Sequence, residues 1–167
     1  MSSIYDFSYQ QLEDLLVVNG FKKYNAKQIF SWLYRKRVDS FDQMTDLSSK
    51  LRQYLNDNYQ IGALQILKLQ VSKDSTRKYL FSLSDGSAIE SVLMHYDYGD
   101  CICVTSQVGC NMGCKFCASG LLKKQRDLTS GEMVQQVLSV QKDVDQYGIR
   151  VSHIVVMGTG EPFDNYD

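Results

Sequence analysis

Ile102-Cys103-Val104-Thr105-Ser106-Gln107-Val108-Gly109-Cys110-Asn111-Met112-Gly113-Cys114-Lys115-Phe116-Cys117 runs from a short apolar stretch into a loop with three cysteines, spaced C-x3-C-x2-C. Ile102 to Thr105 has the composition of a strand. Gly109 and Gly113 should let the loop fold tightly so that the three thiolates converge. Downstream, Thr129 or Ser130 can cap a helix to about Tyr147, with Met133, Val134, Val137 and Leu138 on one face and Gly148 as its stop. His153-Ile154-Val155-Val156-Met157 reads as a buried strand, closed by Gly158-Thr159-Gly160-Glu161-Pro162. Strand, loop, helix, strand predicts the start of a parallel βα architecture, in which the loop after the strand hosts the site.

Three thiolates can hold three irons of a four-iron cluster and leave the fourth open to a ligand. A structural zinc wants a fourth protein ligand, and Cys101 or Cys103 is the rival candidate for that place. The glycines of the 158–162 turn permit close backbone approach to a ligand, and Glu161 suits an ammonium group; a plain turn is the alternative.

The 167 residues, 44% hydrophobic with a net charge of −1, describe a folded chain of one domain, or a small domain joined to part of a larger one. No apolar run approaches a membrane span, and Met1 to Asp6 lacks the basic flank and apolar core of a secretory signal. Five cysteines without export signals point to a reducing cytosol, where clustered cysteines bind metal or do chemistry.

Upstream, residues 1–62 read as helical. Ser8 and Gln11 form a capping box before Leu12, Leu15 and Leu16, and Asn19-Gly20 stop that helix. Asn25 is expected to cap a second helix, with Ala26, Ile29, Phe30 and Leu33 as its stripe, and Ser48 a third bearing Leu51, Tyr54 and Leu55. Leu15 to Val38 holds no Asp or Glu, but it carries Lys22, Lys23, Lys27, Arg35, Lys36 and Arg37 among Tyr24, Trp32 and Tyr34. Such a surface suits phosphate contact, and a solvated charged face is the plainer reading. Residues 63–98 predict an antiparallel β linker of three short strands, with Ser84-Asp85-Gly86-Ser87 as a hairpin turn. Residues 99–167 then form the βα part, so the chain is α/β in class (α+β overall).

The cysteine run, with an aromatic before its last cysteine and a Gly-Glu turn after the next strand, resembles the radical S-adenosylmethionine superfamily. Cys103 to Cys110, Gly113 to Ala118 and Met157 to Pro162 are similar to the dual-specificity adenine-C2 RNA methyltransferases, the ribosomal RNA large subunit methyltransferase N family. Ala26 to Tyr34 and Met44 to Ser48 match that family's N-terminal helical domain, so the likeness runs over nearly the whole chain. It implies that Cys110, Cys114 and Cys117 ligate a [4Fe-4S] cluster, and that Gly160 and Glu161 hold the methionyl end of S-adenosyl-L-methionine with Phe116 beside it. Glu90 would be the general base. Cys103 would resolve a covalent enzyme–RNA adduct through a disulfide.

The same resemblance implies methylation of adenine C2 in 23S rRNA and tRNA by a cytoplasmic monomer with no membrane partner, served by an electron donor. One cofactor molecule methylates a cysteine near the C-terminus, and another is cleaved at the cluster to activate that methyl group. From Val104 onward only about two βα units fit, at roughly 30 residues each. The expectation is therefore an incomplete radical barrel without the methyl-carrying cysteine, inactive alone. A C8-methylating antibiotic-resistance relative, a non-catalytic RNA-binding module and a zinc module are the alternatives. By residue chemistry alone, Glu90 is an ordinary strand carboxylate, which as a base would be partly desolvated. Cys101 and Cys103 share one strand face, and His95 and His153 read as structural.

Overall fold

Hydroxyl caps set three of the four main helices. A computed structural model describes residues 1–62 and 64–166; Ala63 and Asp167, the outer limits expected for the linker and barrel segments, lie outside the described residues. The chain divides after residue 63 into two compact units.

In the first unit, α1 (Tyr9–Val18) opens on Ser8, whose hydroxyl accepts from the Gln11 amide while Gln11 returns the bond, and it ends at Asn19 and Gly20. Ser48 caps α3 (Ser49–Asn58) through the Leu51 amide. Between them, α2 (Asn25–Phe30) departs from expectation. Asn25 is its first residue and not its cap, because Lys22 to Asn25 already forms a turn, with the Asn25 amide donating to the Lys22 carbonyl at 3.0 Å, and Asn25 Oδ1 accepts from the Lys22 amide at 3.1 Å. The helix then continues through Ser31–Lys36 with π geometry, ending at Arg37 with φ 50°. Leu12, Leu16, Ala26, Ile29, Leu33, Met44, Leu51 and Leu55 fill the core. The Tyr5 hydroxyl donates to the Leu33 carbonyl there, and burial pushes the Tyr5 phenol up to about 12.

The second unit is built on one five-stranded sheet of β1 (Gln65–Val71), β2 (Arg77–Ser82), β3 (Ala88–Tyr96), β4 (Gly99–Cys103) and β5 (Val151–Val155), in that order. The first four pair antiparallel; β4 and β5 pair parallel across the crossover helix α4 (Ser130–Val144). The strands of 63–98 are thus no free-standing linker: β3 pairs with β4 from Val92 to Tyr96, so these strands belong to the same sheet as the βα part. Asp85 and Gly86 form the expected β2–β3 turn, with Gly86 at φ 84°. Among the described residues, no helix is long and apolar enough to cross a membrane.

Thr129 caps α4 in a capping box with Glu132. The helix buries Gln136, Val140 and Val144, with Met133 and Val137 packed beside them. Val134 and Leu138, expected on that face, stay half-exposed, since Gln136 occupies the inner position. The Gln136 carbonyl accepts from Ser91 Oγ and the Thr105 amide, both at 2.8 Å, and its amide donates to the Thr105 carbonyl at 2.9 Å. Arg126 grips Glu132 with two bonds of 2.7 and 2.8 Å and reaches Asp85 at 2.6 Å, tying the β2–β3 turn to the start of α4. At the other end, Asp143 accepts from Arg77 at 2.9 Å and from the Tyr79 hydroxyl at 2.7 Å.

Two expected outcomes follow from these contacts. Gln136→Leu strands the buried Thr105 amide and carbonyl, and should cost about 2–4 kcal/mol in urea unfolding. Arg126, with help from the Ser87 amide, draws the Asp85 carboxyl down to about 2. A depressed carboxylate stabilises the fold above its unfolded pKa of about 4 and loses that contribution as pH falls through its folded value. Asp85 is 41% exposed, so Asp85→Asn should cost under ~1 kcal/mol near neutrality. That deficit should close as the pH falls from about 4 toward 2, read by urea titrations across the range.

Candidate functional site

Thr105, Ser106 and Gln107, at the end of β4, are at most 2% exposed. Three uncharged polar residues in a row can be buried only with partners for their side chains, and those partners assemble the site. Thr105 Oγ1 donates to the Glu90 carbonyl at 2.7 Å and accepts from the Thr159 amide at 3.1 Å. The Ser106 and Gln107 amides both donate to the Thr159 carbonyl. The Gln107 side chain accepts from the Glu161 amide at 2.9 Å and donates to Asp127 at 2.7 Å. Asn165 donates to the Ser106 and Leu128 carbonyls.

The 158–162 turn is therefore zipped onto residues 104–107. Its glycines are needed for that contact: a Cβ on Gly158 would lie 2.8 Å from the Val104 carbonyl, and one on Gly160, at φ 111°, 2.7 Å from Gln107 Cβ. This reason differs from the expected approach of a ligand. The Glu161 carboxylate accepts from the Phe163 amide at 3.0 Å, capping a short turn at Pro162–Asn165.

The cysteine loop is closed at its neck. The Cys110 amide donates to the Leu122 carbonyl at 2.8 Å and the Gln125 amide to the Val108 carbonyl at 2.7 Å. Gly109, at φ 80°, leaves no room for a side chain against the Lys123 carbonyl. Beyond the neck, Cys110 is half-buried while Cys114 and Cys117 are exposed, and Phe116 is 94% exposed. The expected convergence of thiolates is not seen: among the described residues, no three His, Cys, Asp or Glu side chains come together as a metal-holding group. The loop has no buried side chain between Cys110 and Leu122 to gather the thiols, and in metal-binding loops such gathering is coupled to the metal. The donor chemistry nevertheless fits a thiophilic, anionic metal group. Residues 101–126 contain no Asp or Glu, and Lys115 and Lys123 lie near the three thiols in sequence, while Lys124 and Arg126 are already paired with carboxylates.

Glu90 projects from β3 half-exposed and ion-paired with Lys78 at 2.8 Å, so the desolvation expected of a base is absent here. It lines a cavity of about 420 Å3 together with Gln107, Gly109, Ala118, Ser119 and Thr159. One space thus receives the Glu90 strand, the segment just after Cys117 and the glycine-rich turn, and Ser119 Oγ meets Thr159 Oγ1 at 3.4 Å. Cys103, half-buried in β4 opposite Val155, has its thiol pushed up by burial; Cys101 is buried beside it. His95 contacts Asp100 and the Ser75 carbonyl, and His153 packs edge-on to Tyr98. The residues missed from sequence are Thr105, Ser106, Gln107 and Gln136. Their one available signal was uncharged polarity inside otherwise apolar, buried-type patterns.

Hydrogen bonds from Ser119 draw the exposed Cys117 thiol below its ordinary value. Alkylation of the metal-free chain, followed by peptide mass spectrometry, should label Cys114 and Cys117 first, Cys103 later and Cys101 last. Early labelling of Cys101 would contradict its burial.

Residues 2–61 match the family described as Ribosomal RNA large subunit methyltransferase N-terminal domain. The chain is 53% identical to a "probable dual-specificity RNA methyltransferase RlmN" of Oceanobacillus iheyensis, over 99% of this chain and 47% of that protein. It is 57% identical to the protein so named in Streptococcus thermophilus, over 99% of this chain and 43% of that one. The chain thus spans a little under half the length of the curated relatives it matches. The crystal structure of a radical SAM methyltransferase from Sphaerobacter thermophilus superimposes with a TM-score of 0.91 at 40% identity, covering 99% of this chain and 49% of that one. With the cysteine run, the glycine-rich turn and the helical unit all in place, the chain matches, over 99% of its own length, part of the proteins named RlmN and of a radical SAM methyltransferase, its residues 2–61 being the RlmN N-terminal domain.

Proposed function

We propose that this chain forms the cofactor-holding and RNA-contacting part of an enzyme that methylates C2 of an adenine in 23S rRNA and tRNA. The observation that carries this reading is the single cavity faced by Glu90, the end of the cysteine loop and the 158–161 turn. In this reading, residues 1–62 contact RNA, residues 63–98 present Glu90, and residues 99–167 hold the cofactors. Cys110, Cys114 and Cys117 would hold an iron–sulfur cluster, leaving one iron for S-adenosyl-L-methionine. When bound, this pair supplies the one-electron cleavage that activates an otherwise inert C–H bond, with the electron coming from an external donor. In this reading the enzyme works in the cytoplasm as a monomer.

The chain's own groups have distinct tasks in this reading. The Glu161 backbone is held by Gln107, which fixes the turn that receives the amino acid end of the cofactor. Phe116, now exposed, supplies an apolar cover for it. Glu90 takes the proton from the adenine carbon, and its half-exposed carboxylate must exchange Lys78 for the base edge to do so. Cys103, as a thiolate, forms a disulfide with the sulfur that ties the RNA to the enzyme; the carbon–sulfur bond breaks, and the RNA carbon keeps the electron pair and takes a proton to leave as the methyl product. Burial raises the Cys103 thiol and keeps it quiescent until then.

Anaerobic loading of the chain with iron and sulfide should give both in equal amounts, with S-adenosyl-L-methionine binding that Cys114→Ala abolishes and Glu161→Gln weakens about tenfold or more. Zinc as the bound metal, or binding indifferent to both variants, would overturn the cofactor assignment. Footprinting of 23S rRNA and tRNA should show protection focused near one adenine; uniform protection of every helix would sink the substrate assignment.

A further inference from the structure

The cations of the first unit are not equivalent once folded. Lys23 is paired with the buried Glu13 at 3.0 Å, and Lys36 lies over the Trp32 ring. The Trp32 indole donates to Asp46, so this aromatic is committed within the fold. Lys27 and Arg35 are exposed and carry no ion pair among the described residues. They border a groove of about 490 Å3 with Tyr9, Phe30, Ser31 and Tyr34. Its volume lies within the ~300–1,000 Å3 of small-molecule sites.

The helix geometry explains this arrangement. Lys27, Ser31 and Arg35 recur every four residues, and Phe30 and Tyr34 form the adjoining row. Ser31 to Lys36 has π geometry, and residues of both rows line the one groove. Tyr9 meets Phe30 edge-on at 5.1 Å, and Phe30 meets Tyr34 tilted at 4.9 Å, so three rings form a continuous apolar floor. The nearest acid on α1, Glu13, is 6% exposed and already bonded to Lys23, so it leaves the groove's positive rim intact.

We infer that this groove binds one unpaired nucleotide of a single-stranded RNA segment, its base against Tyr9 and Tyr34 and its phosphates at Lys27 and Arg35. The inference rests on the RNA reading above and names the surface and the strandedness. An aromatic floor rewards an unstacked base, which a duplex cannot offer without opening. The positive rim selects a polyanion over an apolar peptide, because two unpaired cations beside the floor would otherwise be left facing apolar groups.

The test is fluorescence anisotropy of the whole chain with a short single-stranded RNA carrying 2-aminopurine, against the same sequence as duplex. Single strands should bind at least tenfold more tightly and the 2-aminopurine emission should be quenched. Lys27→Ala and Arg35→Ala should each lower the slope of log K against log salt by about 0.7. Tyr34→Leu and Tyr9→Leu, which keep apolar bulk, should remove the quench and weaken binding roughly 5- to 100-fold. Circular dichroism checks that the variants fold, and the exposed Lys27 and Arg35 sites test the groove even where a tyrosine variant does not. Focused footprints on 23S rRNA or tRNA, with all four variants binding like the parent, would overturn the groove while leaving the RNA reading intact. Absence of salt-dependent RNA binding by the parent chain would overturn both.

Discussion

Burial of Thr105, Ser106 and Gln107 is the constraint on which the second unit depends. Among the described residues, no buried side-chain nitrogen or oxygen lacks a hydrogen bond. That result is available only because helix α4 sends Gln136 inward, β3 presents the Glu90 carbonyl, and the 158–161 turn folds back with the Thr159 and Glu161 amides. In a low-dielectric interior each such bond is worth more than in water, and each unmade one costs more. Sheet, crossover helix and turn are therefore held in one arrangement by the same few atoms.

This places structural demand beside functional demand. Gly158 and Gly160 are small because Val104 and Gln107 press against them, and the resulting turn brings Thr159 to the cavity wall. The cysteine loop is closed tightly at Gly109 and left exposed at Cys114 and Cys117. A rigid neck with a solvent-facing tip suits a loop whose donors gather around a bound group, since the ordering cost falls on few residues.

The first unit shows how folding sorts charges that look alike in sequence. Six cations between Lys22 and Arg37 appear as one basic face. Glu13 takes up Lys23, the Trp32 ring four residues back takes up Lys36, and the cations left beside an aromatic floor are Lys27 and Arg35. In the π turn that carries Arg35, the Leu33 carbonyl accepts from the Tyr5 hydroxyl and Tyr34 meets the Tyr5 ring edge-on.

What the sequence determined by itself was local or chemical. Ser8, Ser48 and Thr129 announce their helices because a cap is a bond between residues three apart, and Gly86 announces its turn because only a positive φ closes it. The three cysteines and the turn at Gly160-Glu161 stood out by spacing and residue type, and the resemblance they carry agrees with the relatives found. Tertiary structure alone decided the rest. It moved the buried face of α4 to Gln136 and joined the 63–98 strands and β5 in one sheet. It also brought Glu90 to the cavity while leaving it exposed. Gln136 meets Ser91 and Thr105 from 45 and 31 residues away, and a hydrogen bond between such distant atoms leaves no period or spacing in the chain that makes it.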